Sequence, residues 1–118
     1  MGPEVVVLAR GERTSPGAAL AVRVALALTL GDCRPLLILE GSAAGLGVAA
    51  PVSASSMAPQ LPAELAALLS DEDARVAVRL DSLTRLGWSG ADLRAGVEAW
   101  SDEEIESACL RARHRMVL

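Results

Sequence analysis

Residues 4–39 read EVVVLARGERTSPGAALAVRVALALTLGDCRPLLIL. Two short runs of aliphatic residues, at residues 4–9 and 35–39, flank a longer apolar stretch. Unbroken aliphatic runs of this length are typical of strands that lie buried on both faces of a parallel sheet. Two parallel neighbours need a crossover connection, usually a helix, and that crossover is almost always right-handed. The segment therefore predicts a β-α-β unit.

The stretch between the two runs predicts a helix that is apolar on nearly every side. Ser15 is a typical N-cap, and Pro16 suits the first helical position because its missing N–H would have no partner there. The helix is expected to run to Leu30 and to end at Gly31. A sheet covers only one side of a helix, so a second surface must cover the rest of this one.

The remainder of the chain alternates between helical and extended patterns. Residues 41–56 are rich in Gly, Ala and Ser, and a turn or two of helix is expected around residues 43–50. The further expected elements are, in order, a helix at residues 63–69 after a break bracketed by Pro59 and Pro62, a strand at 75–80, a short helix at 81–86 capped by Asp81, a strand at 97–100, a helix at 102–112 with a capping box of Ser101 and Glu104, and a strand at 114–118. This order predicts a single domain, residues 1–118, with a three-layer α/β/α fold around a mostly parallel sheet of about five strands.

The composition excludes several classes of function. The net charge is −4, all 11 basic residues are arginines, and aromatic residues make up only 2% of the chain. A nucleic-acid binder needs basic charge to neutralise phosphates and aromatic rings on which bases stack, so no nucleic-acid partner is expected. The absence of Lys excludes Schiff-base chemistry and a P-loop.

The cysteines and the apolar run indicate the redox state of the thiols and the cellular location that we expect. Cys33 and Cys109 fit no metal-ligand spacing, so no metal site is expected. A domain of this size needs no disulfide, and we expect reduced thiols and a cytoplasmic protein. The apolar run at residues 16–30 contains Arg23 and is shorter than the roughly 20 apolar residues that span a bilayer, so no membrane partner is expected.

Ligands of an open parallel sheet bind beyond the carboxyl ends of its strands, which selects three loops here. In the first, Arg10 and Arg13 precede Ser15 at a helix N-terminus, where backbone N–H groups favour an anion. The other reading is an ordinary solvated loop. The second loop contains Gly41 and Ser42, and the third begins at Arg79.

The glycine-rich second loop does not predict a cofactor. Its sequence, GSAAGLG at residues 41–47, lacks the spacing of the dinucleotide fingerprint. Close packing against a neighbouring subunit, or flexibility, explains the glycines better, and no cofactor is expected.

The chain offers no convincing catalytic group. Cys33 is expected at the amino end of the sheet, away from the ligand crevice, and Cys109 on the core face of the last helix. His114 has no acid or thiol nearby in sequence, which favours a surface or strand-edge role. Trp88 and Trp100 are expected to be packing or interface residues.

These segments resemble the DsrE/DsrF/DsrH group, the superfamily of the TusB, TusC and TusD sulfur-relay proteins. The similar segments are EVVVLA at residues 4–9, the apolar helix at 18–30 and PLLILEG at 35–41, followed by VAVRLDSLTRLG at 76–87 and the capped last helix. The short chain and its ending are most similar to the TusB/DsrH branch. Residues 48–73 match nothing in the group. The resemblance implies a DsrE-like fold of flavodoxin-like topology.

The resemblance also implies a function. Members that carry a persulfide have a cysteine at the start of the helix region after strand three, a position that Arg79 occupies here. The resemblance therefore implies an accessory subunit without independent activity, associating with itself or with other DsrE-like subunits. The alternative is a small-molecule or anion-binding domain, or a small transferase, that uses the loop after strand one on a phosphate or nucleotide.

Overall fold

The computed structural model describes residues 5–10, 16–31, 33–49 and 60–118. Its elements are, in chain order, β1 (Val5–Ala9), α1 (Pro16–Leu30), β2 (Pro35–Leu39), a 3-10 helix (Gly41–Gly47), α2 (Gln60–Leu69), β3 (Arg75–Arg79), α3 (Leu80–Arg85), a 3-10 turn (Gly90–Asp92), β4 (Val97–Trp100), α4 (Asp102–Arg111) and β5 (His114–Val117). The strands form a five-stranded sheet in the order β4-β3-β2-β1-β5, and each neighbouring pair is parallel. The predicted α/β fold with a parallel sheet is confirmed.

Helices cover the two faces of the sheet unequally. On one face, which we call the α1 face, α1, α2 and α3 pack through buried residues that include Val22, Leu65 and Leu83. On the opposite face, the α4 face, Ile105 and Ala108 of α4 close a smaller core. Among the described helices, α4 alone packs on that second core.

The last strand lies at an edge of the sheet beside β1. Val5 is in register with His114, and Leu8 with Val117, so the end of the described chain pairs with its beginning. All residues of β5 are exposed. The expectation that His114 lies at a strand edge is confirmed.

The cover that α1 requires comes partly from within the chain. α2 lies beside it, and Arg23 Nε is 3.0 Å from Glu64 Oε2 across the two helices. Val24 and Leu28 are half-buried and pack against the core, whereas Leu20 is 49% exposed. No helix in the described ranges has both the length and the apolar character needed to cross a membrane.

The boundaries of several elements differ from expectation, and β3 and β5 each end one residue early, at Arg79 and Val117. α2 begins at Gln60 and not at residue 63, because Pro62 lies in the first helical turn, where a missing N–H removes no intrahelical hydrogen bond. Pro59 lies outside the described residues. The helical turns predicted around residues 43–50 lie instead at Gly41–Gly47. α4 ends at Arg111, with the next residue as its C-cap.

The predicted cap of α3 is wrong. The N-cap is Arg79, which has extended backbone angles, and helical geometry begins at Leu80. Asp81 is therefore the second helical residue, and its Oδ2 lies 3.2 Å from Nε of Arg85 one turn later. The capping box of α4 is as expected, since Ser101 Oγ accepts a hydrogen bond from the backbone N–H of Glu104 at 3.2 Å.

Candidate functional site

Three charged side chains meet at the carboxyl ends of β1, β2 and β3. Arg10 and Glu40 each follow the last residue of a strand, and Arg79 is the last residue of β3. Side chains alternate between faces along a strand, and the ends of these parallel strands are in register, so all three residues lie on the α4 face. Their burial and contacts define the candidate site.

Glu40 is the buried member of this group. Its side chain is only 9% exposed, and its Oε1 accepts a hydrogen bond from Nε of Arg10 at 2.5 Å. Its Oε2 accepts another from Nε of Arg79 at 2.7 Å. A buried carboxylate needs such partners, because burying a charge without them costs free energy. Glu40 therefore fixes the orientation of both guanidinium groups.

Arg79 connects this group to α4. Its Nη1 donates a hydrogen bond to Oδ1 of Asp102, at the start of that helix. Partial burial disfavours the charged guanidinium, but the hydrogen bonds to Glu40 and Asp102 outweigh that effect and raise the pKa of Arg79. The Arg79 side chain is thus a cation that is bonded to two carboxylates, those of Glu40 and Asp102. This position, where the resemblance implies a cysteine in persulfide carriers, is occupied by a residue with structural contacts.

Gly41 is fixed by its neighbours and does not present a free anion cradle. Its φ is +61°, and its N–H donates to Oγ of Ser82 at 2.8 Å. A Cβ at this position would lie 3.2 Å from the carbonyl oxygen of Arg10. Ser42, the other candidate of this loop, is exposed.

The glycine-rich segment packs within its own chain. Residues 43–47 are buried, and a Cβ at Gly47 would lie 2.6 Å from Cγ2 of Val78. These contacts within the chain account for the small residues and do not fit the expected flexibility, whereas the expected packing against a neighbouring subunit stays a prediction. The remaining candidates, Arg13 and Ser15, lie outside the described residues, so the anion loop after β1 stays a prediction.

The two thiols have different positions. Cys33 precedes β2, at the amino end of the sheet as expected, and its N–H donates to the carbonyl oxygen of Leu28 at 3.1 Å. Cys109 packs against the α4-face core but is only half-buried. Its remaining surface lines a cavity of about 240 Å³ that also includes Arg10 and Arg79. Cys109 is thus nearer to the candidate site than its place in a helix suggested.

The same cavity contains residues that the sequence did not single out. Arg115 of β5 adds a further guanidinium group, Glu106 of α4 adds an exposed carboxylate, and Leu8 and Ile105 supply apolar lining. β5 pairs with β1, and this pairing brings Arg115 to the side of the sheet that carries Arg10. In the sequence these residues stand at opposite ends, and no local pattern connects them.

The tryptophans have packing roles, as expected. Trp88 is half-buried against the α1-face core. Trp100 is 7% exposed, its Nε1 donates to Glu98 Oε2 at 3.0 Å, and the guanidinium carbon of Arg75 lies 4.9 Å from the centre of the ring. Among the described residues, no group of three or more His, Cys, Asp or Glu side chains is arranged to hold a metal ion.

Comparison with known proteins identifies the fold. The E. coli YchN protein has a crystal structure that superposes with a TM-score of 0.85, over 98% of this chain and 99% of that one. The fold is DsrE-like. Sequence identity with YchN is 20%, so the likeness concerns the fold alone. Neither a protein-family model nor a curated protein matches the sequence.

Proposed function

We propose that this chain is a non-catalytic, accessory subunit of a sulfur-relay assembly built from DsrE-like subunits, nearest in kind to the TusB/DsrH branch. The DsrE-like fold supports a sulfur-relay-related role in general. The accessory role and the branch go beyond that likeness and depend on the residues of this chain.

One observation carries the proposal. The resemblance implies that persulfide carriers have their acceptor thiol at the start of the helix region after strand three, and at the junction of β3 and α3 this chain has Arg79. Its guanidinium group is bonded to Glu40 and Asp102, so it stabilises the site and offers no nucleophile. The sequence contains no cysteine between Cys33 and Cys109. Sulfur transfer through this junction therefore needs a thiol from another subunit.

Exposed apolar side chains support association with such a subunit. Leu20 of α1 is 49% exposed, and Met116 and Val117 of the edge strand β5 are 40% and 50% exposed. Among the described strands β5 pairs with β1 alone, and none of them lies at its other edge. Edge strands and apolar side chains of this kind are typical surfaces for contact with a second chain. We propose self-association or a hetero-oligomer with other DsrE-like subunits.

Two measurements test the proposal. Size-exclusion chromatography with light scattering should show an oligomer at micromolar concentration, and Leu20→Arg combined with Met116→Arg should dissociate it. Leu110→Arg is the matched control, because Leu110 is 81% exposed on the outer side of α4. A strict monomer would contradict the subunit role.

The absence of sulfur-carrying activity is tested separately. The purified chain is mixed with a persulfidated donor protein, and intact mass is measured for the gain of one sulfur atom. We expect no stoichiometric persulfide on either thiol. A persulfide that forms on Cys109 and disappears in Cys109→Ser would show a carrier and would overturn the accessory role, even if the oligomer is confirmed.

A further inference from the structure

The cavity beside α4 is lined by guanidinium groups, and only some of their N–H donors are hydrogen-bonded within the described chain. Glu40 occupies Nε of Arg10 and Nε of Arg79, and Asp102 occupies Nη1 of Arg79. Both Nη groups of Arg10 and the Nη2 of Arg79 have no hydrogen-bond partner among the described residues. A guanidinium presents up to five N–H donors in a planar fork that matches an oxyanion.

Arg115 adds a third guanidinium group to the lining of the cavity. It lies on β5 in register with Val6, and its side chain makes no hydrogen bond or ion pair within the described part of the chain. Three strands, β1, β3 and β5, thus direct cations to one cavity. Two of these cations are held near each other by one shared carboxylate, so that pair is fixed before any ligand arrives. Preorganised donors of this kind cost less to bring onto a ligand than mobile ones.

The three carboxylates at the cavity balance the formal charge of the three guanidinium groups, but they bond only some of the N–H donors. One oxygen of Asp102 is bonded to Arg79, and Glu40 is buried with both of its oxygens bonded to the arginines that it anchors. Glu106 is exposed, and its carboxylate makes no hydrogen bond among the described residues. The lining by Leu8 and Ile105 excludes water from one side, which strengthens hydrogen bonds to a charged ligand.

We propose that this cavity is a binding site for a small oxyanion, that is, a phosphate, sulfate or carboxylate group, held by Arg10, Arg79 and Arg115 with Glu40 as the anchor of the first two. Its volume of about 240 Å³ is below the roughly 300–1,000 Å³ of pockets for larger organic ligands. The ligand is therefore a small anion or the anionic end of a longer molecule. The site does not depend on the sulfur-relay role.

The direct test is titration of the full chain with sodium phosphate, sulfate or acetate, followed by NMR of the arginine side chains. Sodium chloride at matched ionic strength is the reference. At least one oxyanion should shift the Arg115 signals saturably, and the one that binds most tightly identifies the chemical class. Shifts that only follow ionic strength would overturn the site.

Substitutions of single residues test which side chains hold the oxyanion. Arg115→Gln should weaken the oxyanion roughly 10- to 100-fold, the usual effect of losing one charged hydrogen bond. Arg113→Gln is the matched control, because Arg113 is exposed, lies two positions away and does not line the cavity. Glu106→Gln should tighten binding, because it removes a repelling carboxylate. An unchanged affinity in Arg115→Gln, or weaker binding in Glu106→Gln, would contradict an anion site.

A second measurement uses the unaltered protein, so its result does not depend on whether a substituted chain folds. Cys109 lines the cavity and Cys33 does not, so the two thiols provide a probe and an internal reference. The rate of alkylation by anionic iodoacetate, divided by that by neutral iodoacetamide, should be higher at Cys109 than at Cys33. Saturating oxyanion should lower that ratio at Cys109 alone. Equal ratios at both thiols, or no effect of the oxyanion, would overturn the proposal.

Discussion

Oε2 of Glu40 lies 2.7 Å from Nε of Arg79, so the end of β2 is bonded to the end of β3 by a nearly buried carboxylate. The other oxygen of the same group holds Arg10 at the end of β1. One acidic side chain thus joins three neighbouring strands at the edge of the sheet where a ligand is expected. This arrangement leads to the first prediction.

Glu40→Gln should lower the free energy of unfolding by about 2–4 kcal/mol, because it leaves the guanidinium groups of Arg10 and Arg79 without their shared anion. Urea denaturation at neutral pH measures the change. Asp81→Asn is the control, since the ion pair of Asp81 with Arg85 is exposed and should contribute less than about 1 kcal/mol. Similar losses in both variants would show that Glu40 has no special role.

The contacts of Glu98 with Trp100 and Arg75 should make the free energy of unfolding depend on pH. The hydrogen bond from Trp100 Nε1, followed by the contact with Arg75, lowers the pKa of Glu98 below its ordinary value of 4.5. A lowered pKa in the folded state stabilises the fold above that ordinary value, and this contribution is lost as pH falls through the folded pKa.

Glu98→Gln should therefore be slightly less stable than the unaltered chain at pH 7 and equally stable at pH 2–3. The effect at pH 7 should stay below about 1 kcal/mol, because the side chain is half exposed. Glu72→Gln, at an exposed turn, should show no such convergence. The measurement is urea denaturation at a series of pH values, and a constant difference between the chains would contradict the assignment.

Loss of the α4 cap should destabilise the α4 face. Ser101→Ala removes the oxygen that accepts from Glu104 N–H and should cost about 1 kcal/mol. Ser107→Ala, at an exposed position within the same helix, should be neutral or slightly stabilising, because Ala has the higher helix propensity. Hydrogen exchange of the α4 amides should accelerate in the first variant only. Slower exchange or no change would argue against the cap.

The close approach at Gly47 can be tested with a single methyl group. Gly47→Ala places a Cβ 2.6 Å from Cγ2 of Val78 and should cost about 1–3 kcal/mol through overpacking. At Gly90 a Cβ would meet nothing within 4 Å, so Gly90→Ala is the control and should have a small effect. Thermal unfolding of the two variants provides the comparison. Equal midpoints would show that the segment moves away freely.

Local patterns were sufficient for most of the fold. The aliphatic runs of β1 and β2, the proline at the start of α1 and the Ser101–Glu104 box are each contained in a few neighbouring residues, and the structure has the elements that they predict. The predicted N-cap of α3 was wrong because contacts with distant parts of the chain determine where this helix begins. Arg79 is held in the sheet by its bonds to Glu40 and Asp102, so the helix begins one residue before Asp81.

Only some of the residues at the candidate site could be predicted from the sequence. Arg10 and Arg79 could be found because both stand at strand ends, and the same rule applied to side-chain alternation would have found Glu40, two positions after the buried Ile38. Arg115 and Cys109 could not be found in this way. They reach the cavity only because β5 returns to pair with β1 and α4 crosses the opposite face, and both facts depend on the complete topology.

The pairing of Val5 with His114 has a consequence for synthesis of the protein. While a ribosome is still producing the chain, β1, α1 and β2 can already assemble, but the outer edge of β1 has no partner until the residues of β5 have emerged. The nascent chain therefore exposes an open aliphatic strand until β5 has emerged. Such an edge is a site at which a chaperone, or another nascent copy, can bind before the native strand arrives.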